Sequence, residues 1–342
     1  MMTKKIAVIG ASGYTGAELI RVGIGHPFLN IKHLIANSNA GKTIEEVFPG
    51  FQSFNLPRLE SINSFDPSSV DLIFCALPHT TSQKLIKKIF GTTKIVDLSA
   101  DFRLQNPSDY EKWYGNRHLA PEVQAKATYG LTEFYRQEIQ SSMLVACTGC
   151  NAASGLFPLL PLIEADIIDP ENIILDLKVG VSGAGRVAKQ SNIFAELSEG
   201  CQPYNPVWHR HLAEFDQELN KHSKANVKVT FTPHLLPLNR GILTTIYAEG
   251  DPDKVHKTLS LRYQDEPFIH VLPMETIVST RHVRGSNLVK IAVFPDRKGN
   301  RCKIFSTLDN LVKGSSGQAI QNANLMLGLD EKVGLDLVPI FP

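Results

Sequence analysis

This chain is poor in the features that mark special environments. It has five cysteines among 342 residues, at positions 75, 147, 150, 201 and 302. So sparse and odd a set does not build a disulfide scaffold. Free thiols in a reducing, cytoplasmic setting are expected instead. The formal net charge is only +1, which excludes a strong pull toward nucleic acid or an anionic membrane. No apolar run reaches the length of a membrane span. Met1 to Lys5 passes at once into Ile6-Ala7-Val8-Ile9, too short a lead for a secretory signal. Cys147 and Cys150 form a single C-x-x-C. With no second pair and no His pair nearby, a zinc or other metal site is not expected, while a redox dithiol stays open as a reading. Neither internal repeats nor low-complexity segments are present.

What the chain does have is ordinary for a globular protein with real cores: 43% hydrophobic and 20% charged residues. The length suggests about two domains. Lys5 to Ile9 reads as a buried strand. Gly10-Ala11-Ser12-Gly13-Tyr14-Thr15-Gly16 follows, and then a helix-like run from Ala17 to Val22. Strand, glycine loop and helix is the context in which backbone amides at a helix start receive a pyrophosphate. The spacing is G-x-x-G-x-x-G, a variant, so a plain βα turn is the competing reading. Gly10, Ser12, Gly13, Tyr14, Thr15 and Gly16 are the candidate cofactor contacts. The next strand, Ile31 to Ala36, ends in Asn37-Ser38-Asn39-Ala40-Gly41-Lys42. An NAD site usually places a carboxylate there for the ribose 2′-hydroxyl. Ser38 and Lys42 would accept a 2′-phosphate instead, so NADP is the expected cofactor.

Two further strands, Val70 to Leu77 and Lys94 to Leu98, end in loops where open α/β sheets bind ligands. The first carries Pro78 and His79, either on the nicotinamide side or at the surface. The second carries Ser99, Asp101 and Arg103, as substrate contacts or as a structural ion pair. Residues 106–127 read as a polar excursion, and Ser142 to Ala146 as a strand returning to the sheet.

That strand leads through Thr148-Gly149 to Cys150 at the start of a helix running to about Ala165. A thiol at a helix N-terminus faces unpaired N–H groups that favour the thiolate. The competing reading is a buried structural cysteine. Pro158 and Pro161 lie inside this helix and predict a break. Beyond it, Ile173 to Val179, Val227 to Phe231, Ile242 to Ala248, Leu288 to Phe294 and Lys303 to Leu308 are strand-like with few helices between the later ones. They predict a mostly antiparallel α+β domain. Gly180 to Arg186, including Ser182, Gly183 and Arg186, is either an anion-binding turn or a plain loop. His209-Arg210-His211 places two imidazoles beside a guanidinium, which suits acid/base work; Arg210 is a candidate for the substrate's anionic groups. Asn310 precedes a final helix to about Leu327. The expected domains are 1–149 for the cofactor, 150–308 for catalysis and oligomerisation, and 309–342 returning to the first.

Taken in order, these segments resemble the N-acetyl-gamma-glutamyl-phosphate reductase family, relatives of aspartate-semialdehyde dehydrogenase. The resemblance runs from Gly10 to Gln321. It is carried by Gly10 to Leu19, Pro78-His79, Asp97 to Arg103, Tyr129 to Glu133, Gly149-Cys150 and Gly180 to Arg186. His209 to His211, Phe231 to His234, Arg240-Gly241, Gly285 to Asn287 and Asp309 to Gly314 complete it. The family implies a Rossmann NADP domain and an α+β catalytic domain. It implies reduction of a small acyl phosphate to an aldehyde, with Cys150 as nucleophile and His209 and His211 in the catalytic histidine motif. It also implies a homodimer or homotetramer. Cys147, Thr148 and Asn151 depart from the family's usual surroundings of the cysteine. Asn151 is shared with relatives that reduce a carrier-linked aminoadipyl phosphate, so that substrate stands as an alternative, as does a non-catalytic NADP-binding sensor. The missing carboxylate after the second strand has a direct consequence. KM for NADPH should lie well below KM for NADH, and equal or better use of NADH in steady-state assays would refute the reading.

Overall fold

The computed structural model describes residues 2–341. The chain divides into two compact units, residues 1–148 with 315–336, and 149–314 with 337–342.

The first unit is built on a seven-stranded, wholly parallel sheet. Its elements are β1 (Lys4–Ile9), α1 (Tyr14–Ile24), β2 (Leu29–Ile35), β3 (Leu59–Glu60), β4 (Leu72–Cys75), α2 (Ser82–Ile89) and β5 (Lys94–Asp97). There follow α3 (Pro107–Tyr114), α4 (Pro121–Gln124), β6 (Thr128–Gly130), α5 (Thr132–Ser141) and β7 (Leu144–Cys147). The order across the sheet is β3-β2-β1-β4-β5-β7-β6. β4 and β7 are buried at every residue, as strands covered on both faces must be, and both are continuous apolar runs. The chain direction reverses about β1, with β2 on one side and β4 on the other. Ligands of doubly wound sheets enter at such a point. The stretch 106–127, expected as an excursion, contains α3 and α4, started by Asn106 capping Ser108 and by Pro121 at a first turn.

The second unit begins with α6 (Cys150–Glu164), then β8 (Ile173–Gly180), α7 (Phe194–Leu197), β9 (Gln202–Pro203), α8 (Leu212–Lys221), β10 (Val229–Leu236) and β11 (Ile242–Glu249). It continues with α9 (Pro252–Tyr263), β12 (Ile269–Val271), β13 (Val289–Pro295) and β14 (Arg301–Leu308). The sheet order is β12-β13-β14-β11-β8-β10-β9. Four of its six pairings are antiparallel; β10 with β8 and β12 with β13 are parallel. The alternation of β8 puts Leu175, Leu177 and Val179 inward and leaves Ile174, Asp176 and Lys178 on the more open face. A single turn of π-helix (Val312–Ser316) then leads to α10 (Gly317–Met326), which belongs to the first unit. Every residue of α10 is buried. Two of its amides bond the segment at the end of β6: Gln318 donates to the carbonyl of Gly130 at 3.2 Å, Asn322 to the same oxygen at 3.0 Å, and Thr132 donates to Asn322 at 2.7 Å.

The expected break in α6 does not occur; one helix runs from Cys150 to Glu164 through Pro158 and Pro161. The missing N–H of Pro161 would have bonded the carbonyl of Phe157. The hydroxyl of Tyr263, at the end of α9, donates to that carbonyl instead. Tyr263→Phe removes this donor from a fully buried acceptor. It should cost about 1–3 kcal/mol in urea unfolding, and an unchanged midpoint would show that the hydroxyl does not support the helix.

Candidate active site

In the first unit, three loops leave the carboxyl ends of neighbouring strands. β1 ends at Gly10, whose φ is +86° and whose Cβ, if it had one, would collide with the carbonyl oxygen of Ala76. Only glycine fits there. α1 starts immediately afterwards. Gly13 is its N-cap, without a side-chain cap bond, and its first turn holds no acidic residue. Backbone N–H groups at such an end, brought close by the glycines, suit a pyrophosphate. Ser12, Gly13 and Thr15 are partly exposed around it and Tyr14 is exposed. β2 ends in a 3-10 turn (Asn37–Asn39) followed by Gly41 and Lys42. Ser38 and Lys42 are both exposed, linked through Asn39, which donates to Ser38 Oγ at 3.3 Å and accepts from Lys42 Nζ at 3.4 Å. Arg58 reaches the same turn, donating to the carbonyl of Gly41 at 2.9 Å; it went unnoticed in the sequence because it lies far along the chain. β4 ends toward Pro78 and His79, both exposed, with the His79 ring centroid 6.2 Å from that of Tyr114. These three loops therefore gather the candidate cofactor residues of this unit at one edge.

Ser99, Asp101 and Arg103 are turned inward. Asp101 is fully buried. Its carboxylate accepts from Thr80 N–H at 2.8 Å, Ser82 Oγ at 2.6 Å, Gln83 N–H at 3.3 Å and Tyr110 Oη at 2.7 Å. It holds the start of α2. Ser99 Oγ lies 2.7 Å from both Asp97 and Ser82. Arg103 donates from Nε to the carbonyl of Cys147 at 2.7 Å and from Nη2 to that of Leu98 at 3.3 Å, tying the ends of β5 and β7. Such contacts make Ser99 and Asp101 scaffold for the loop. Cys147 is buried, accepts from Asn322, and has its thiol pushed up to about 12 by burial. That is the opposite of what an exchanging dithiol requires.

In the second unit, Cys150 is the first residue of α6, partly exposed, with Gly149 as an N-cap lacking a side-chain bond and no acid in the first turn. Gly149 donates its N–H to Glu214 Oε2 at 2.8 Å. A Cβ on Gly149 would lie 2.5 Å from His211 Nε2 and 2.6 Å from Glu214 Oε1. An imidazole and a buried carboxylate thus press on the residue next to the thiol. His211 is the N-cap of α8, which sets Glu214 on the first turn beside it. His209 is buried, and its Nδ1 accepts the backbone N–H of His211 at 3.1 Å. Its ring packs 4.8 Å from His211, 5.5 Å from Tyr204 and 5.1 Å from Phe231, centroid to centroid. Burial, then the neighbouring His211 and Arg210, lower its pKa to about 3, so it is neutral at physiological pH. Asn151 Oδ1 accepts from Cys150 Sγ at 3.8 Å, and Asn151 Nδ2 donates to Tyr204 Oη at 3.0 Å. The backbone of Gly314, in the π-helical turn, closes the other side; a Cβ there would be 2.8 Å from Cys150 Cβ. Of the remaining candidates, Ser182, Gly183 and Asn310 come together: Asn310 donates to Ser182 Oγ at 2.9 Å, accepts from Gly241 N–H at 2.7 Å and lies near Gly183. Arg186 and Arg210 are exposed. Sequence reading gave no role to Glu214, Tyr204 or Gly314. Glu214, three residues after His211, is the one that helix spacing alone could have revealed.

Comparison with known proteins places the whole chain. The semialdehyde dehydrogenase NAD binding domain matches residues 5–142, and the semialdehyde dehydrogenase dimerisation domain matches residues 150–310. The N-acetyl-gamma-glutamyl-phosphate reductases of Cereibacter sphaeroides and Ruegeria pomeroyi are each 56% identical to it over 342 residues, and that of Rhodobacter capsulatus is 54% identical; each alignment covers 100% of both chains. Among solved structures, aspartate semialdehyde dehydrogenase II from Vibrio cholerae superposes with a TM-score of 0.73 at 16% identity, covering 96% of this chain and 99% of that one. Aspartate semialdehyde dehydrogenase with NADP from Candida albicans gives 0.66 at 17%, covering 95% and 98%. The wholly parallel sheet followed by a mixed, mostly antiparallel one is their shared fold. The chain belongs to the N-acetyl-gamma-glutamyl-phosphate reductase family of the semialdehyde dehydrogenases.

Proposed function

We propose that this oxidoreductase reduces N-acetyl-gamma-glutamyl phosphate to N-acetyl-glutamate 5-semialdehyde with NADPH, releasing phosphate, in cytoplasmic arginine biosynthesis. The observation that carries the reading is the cluster at Gly149: a thiol on a helix N-terminus, with an imidazole and a carboxylate packed against the preceding residue. Full-length relatives named for this substrate favour it over the carrier-linked analogue.

An acyl phosphate needs a soft nucleophile, because thiolate attack divides one difficult step into two easier ones. Cys150 Sγ bonds to the acyl carbon, and the C–O bond to phosphate breaks as phosphate leaves. NADPH, when bound, supplies the hydride that reduces the resulting thioester. The thiohemiacetal then collapses, its hydroxyl proton leaves, and Cys150 is released as the aldehyde forms. His211, not His209, is the acid/base in this scheme. Its Nε2 lies at Gly149 and Glu214 is next to it, whereas His209 is buried and neutral and positions His211 through a backbone bond. N–H groups at the start of α6 stabilise the oxyanion of each tetrahedral species. The Gly10 cradle and the uncapped α1 suit the cofactor's pyrophosphate, and Ser38, Lys42 and Arg58 its 2′-phosphate. Arg186 and Arg210 are the remaining candidates for the substrate's anionic groups. The open face of the second sheet, with Ile174 and partly exposed Leu243, Tyr247 and Phe305, is where a homodimer or homotetramer would pair.

Two measurements test these roles. Cys150→Ser should lower turnover by about three orders of magnitude or more and leave NADPH binding by fluorescence titration intact; substantial residual turnover would rule out the thioester. His211→Asn should lower kcat by about 10²- to 10⁴-fold, and more than His209→Gln does. For stability, His209 binds fewer protons folded than unfolded between about 3 and 6.5. Its cost is therefore absent above pH 6.5 and grows as pH falls toward 3, by at most about 1.4 kcal/mol per pH unit. Urea unfolding at pH 7 and pH 5 should show a smaller loss in His209→Gln than in wild type. Equal losses would mean that His209 titrates normally.

A further inference from the structure

In the second unit, the turn after β10 and the turn around Thr280 enclose an open cavity of about 440 Å³. Its polar walls are Asn239, Arg240, Ser279, Thr280, Arg281 and Arg284. None of them belongs to the thiol cluster or to the cofactor positions. Three arginines line one space, and among the described residues no carboxylate lines it. Like charges so placed repel, so the loops that carry them must be held.

Asp309 holds them. It is fully buried, and Oδ2 accepts from Arg240 Nη1 at 3.4 Å and from the N–H of Gly285 at 2.6 Å. One carboxylate therefore ties both arginine-bearing segments. The carbonyl of Arg284 is fixed by the N–H of Ile340 at 2.7 Å, and Ser279 Oγ accepts the N–H of Arg281 at 3.3 Å. The backbones are pinned. Among the described residues, however, the side chains of Arg281 and Arg284 make no hydrogen bond or ion pair. Two planar forks with fixed bases and no protein acceptor are suited to oxyanions, which they bind bidentately. The volume lies within the range of small-molecule sites, about 300–1,000 Å³, so there is room for more than one anionic group.

We propose that this cavity is a second ligand site, for a small multivalent oxyanion carrying two or more carboxylate or phosphate groups, gripped by Arg240, Arg281 and Arg284. The test is hydrogen–deuterium exchange on the full-length enzyme with citrate or inorganic phosphate, against chloride at equal ionic strength. Citrate should protect backbone amides in 279–285, and chloride should not. Protection by phosphate as well would mean that a single phosphate group suffices for entry. The double variant R281Q/R284Q should weaken citrate binding about tenfold or more, the scale expected for losing charge-assisted hydrogen bonds. Its phosphate-dependent NADP reduction should stay within about twofold of wild type. No protection by citrate, or protection that persists in the double variant, would overturn the site. So would a raised KM for the semialdehyde in that variant, since the cavity would then belong to the substrate site. If the double variant does not fold, R281Q and R284Q singly, checked by circular dichroism, make the same comparison.

Discussion

The thiol site depends on one hydrogen bond, from the N–H of Gly149 to the buried carboxylate of Glu214 at 2.8 Å. A carboxylate out of water needs donors, and a backbone N–H at a helix cap needs an acceptor. Each meets the need of the other. The bond fixes the start of α6 against the first turn of α8, and so fixes Cys150 against His211. It also explains why residue 149 has no side chain: any Cβ would occupy the space of the His211 ring and the Glu214 carboxylate together. The thiol-bearing end of α6 is thereby held from both sides, by α8 and by the π-helical turn at Gly314.

Much of this was legible along the chain. Candidate positions carried by neighbours in sequence, such as the glycine loop, the carboxylate-free end of β2, Gly149-Cys150 and His209 to His211, can be picked out because their spacing is local. The difference in setting between the two histidines was not. His209 and His211 are equivalent in sequence and differ only in what surrounds them: Phe231 and Tyr204 around one, Gly149 and Glu214 against the other. The continuity of α6 was hidden for the same reason. Proline chemistry predicts a break, and only Tyr263, 106 residues away from Phe157, supplies the donor that makes the break unnecessary. The parallel pairing of β10 with β8 was likewise invisible, since strand alternation carries no direction.

Ser99 and Asp101 illustrate the converse, a motif that looks like a ligand site and is a scaffold. Their network also holds a proton that hydrogen-bond counting reveals. Asp97, Ser99, Ser82 and Asp101 are linked in a buried chain by contacts of 2.7, 2.7 and 2.6 Å. Three short contacts need three protons, but the two serine hydroxyls bring only two. If each serine donates to its neighbouring carboxylate, the contact between the serines has none, and two oxygen lone pairs face each other in a dry interior. One carboxyl must therefore supply the third. Asp101 already accepts from Thr80, Gln83 and Tyr110 as well as Ser82. Asp97 has fewer donors, and burial pushes it up to about 7. Burial therefore favours Asp97, whose Oδ2 lies 2.7 Å from Ser99 Oγ, as the carboxyl that takes up the proton. Arg103, two residues on from Asp101, spans from Leu98 to Cys147 by donating to both carbonyls. The loop that follows β5 is thus tied to the start of α2 through this buried chain.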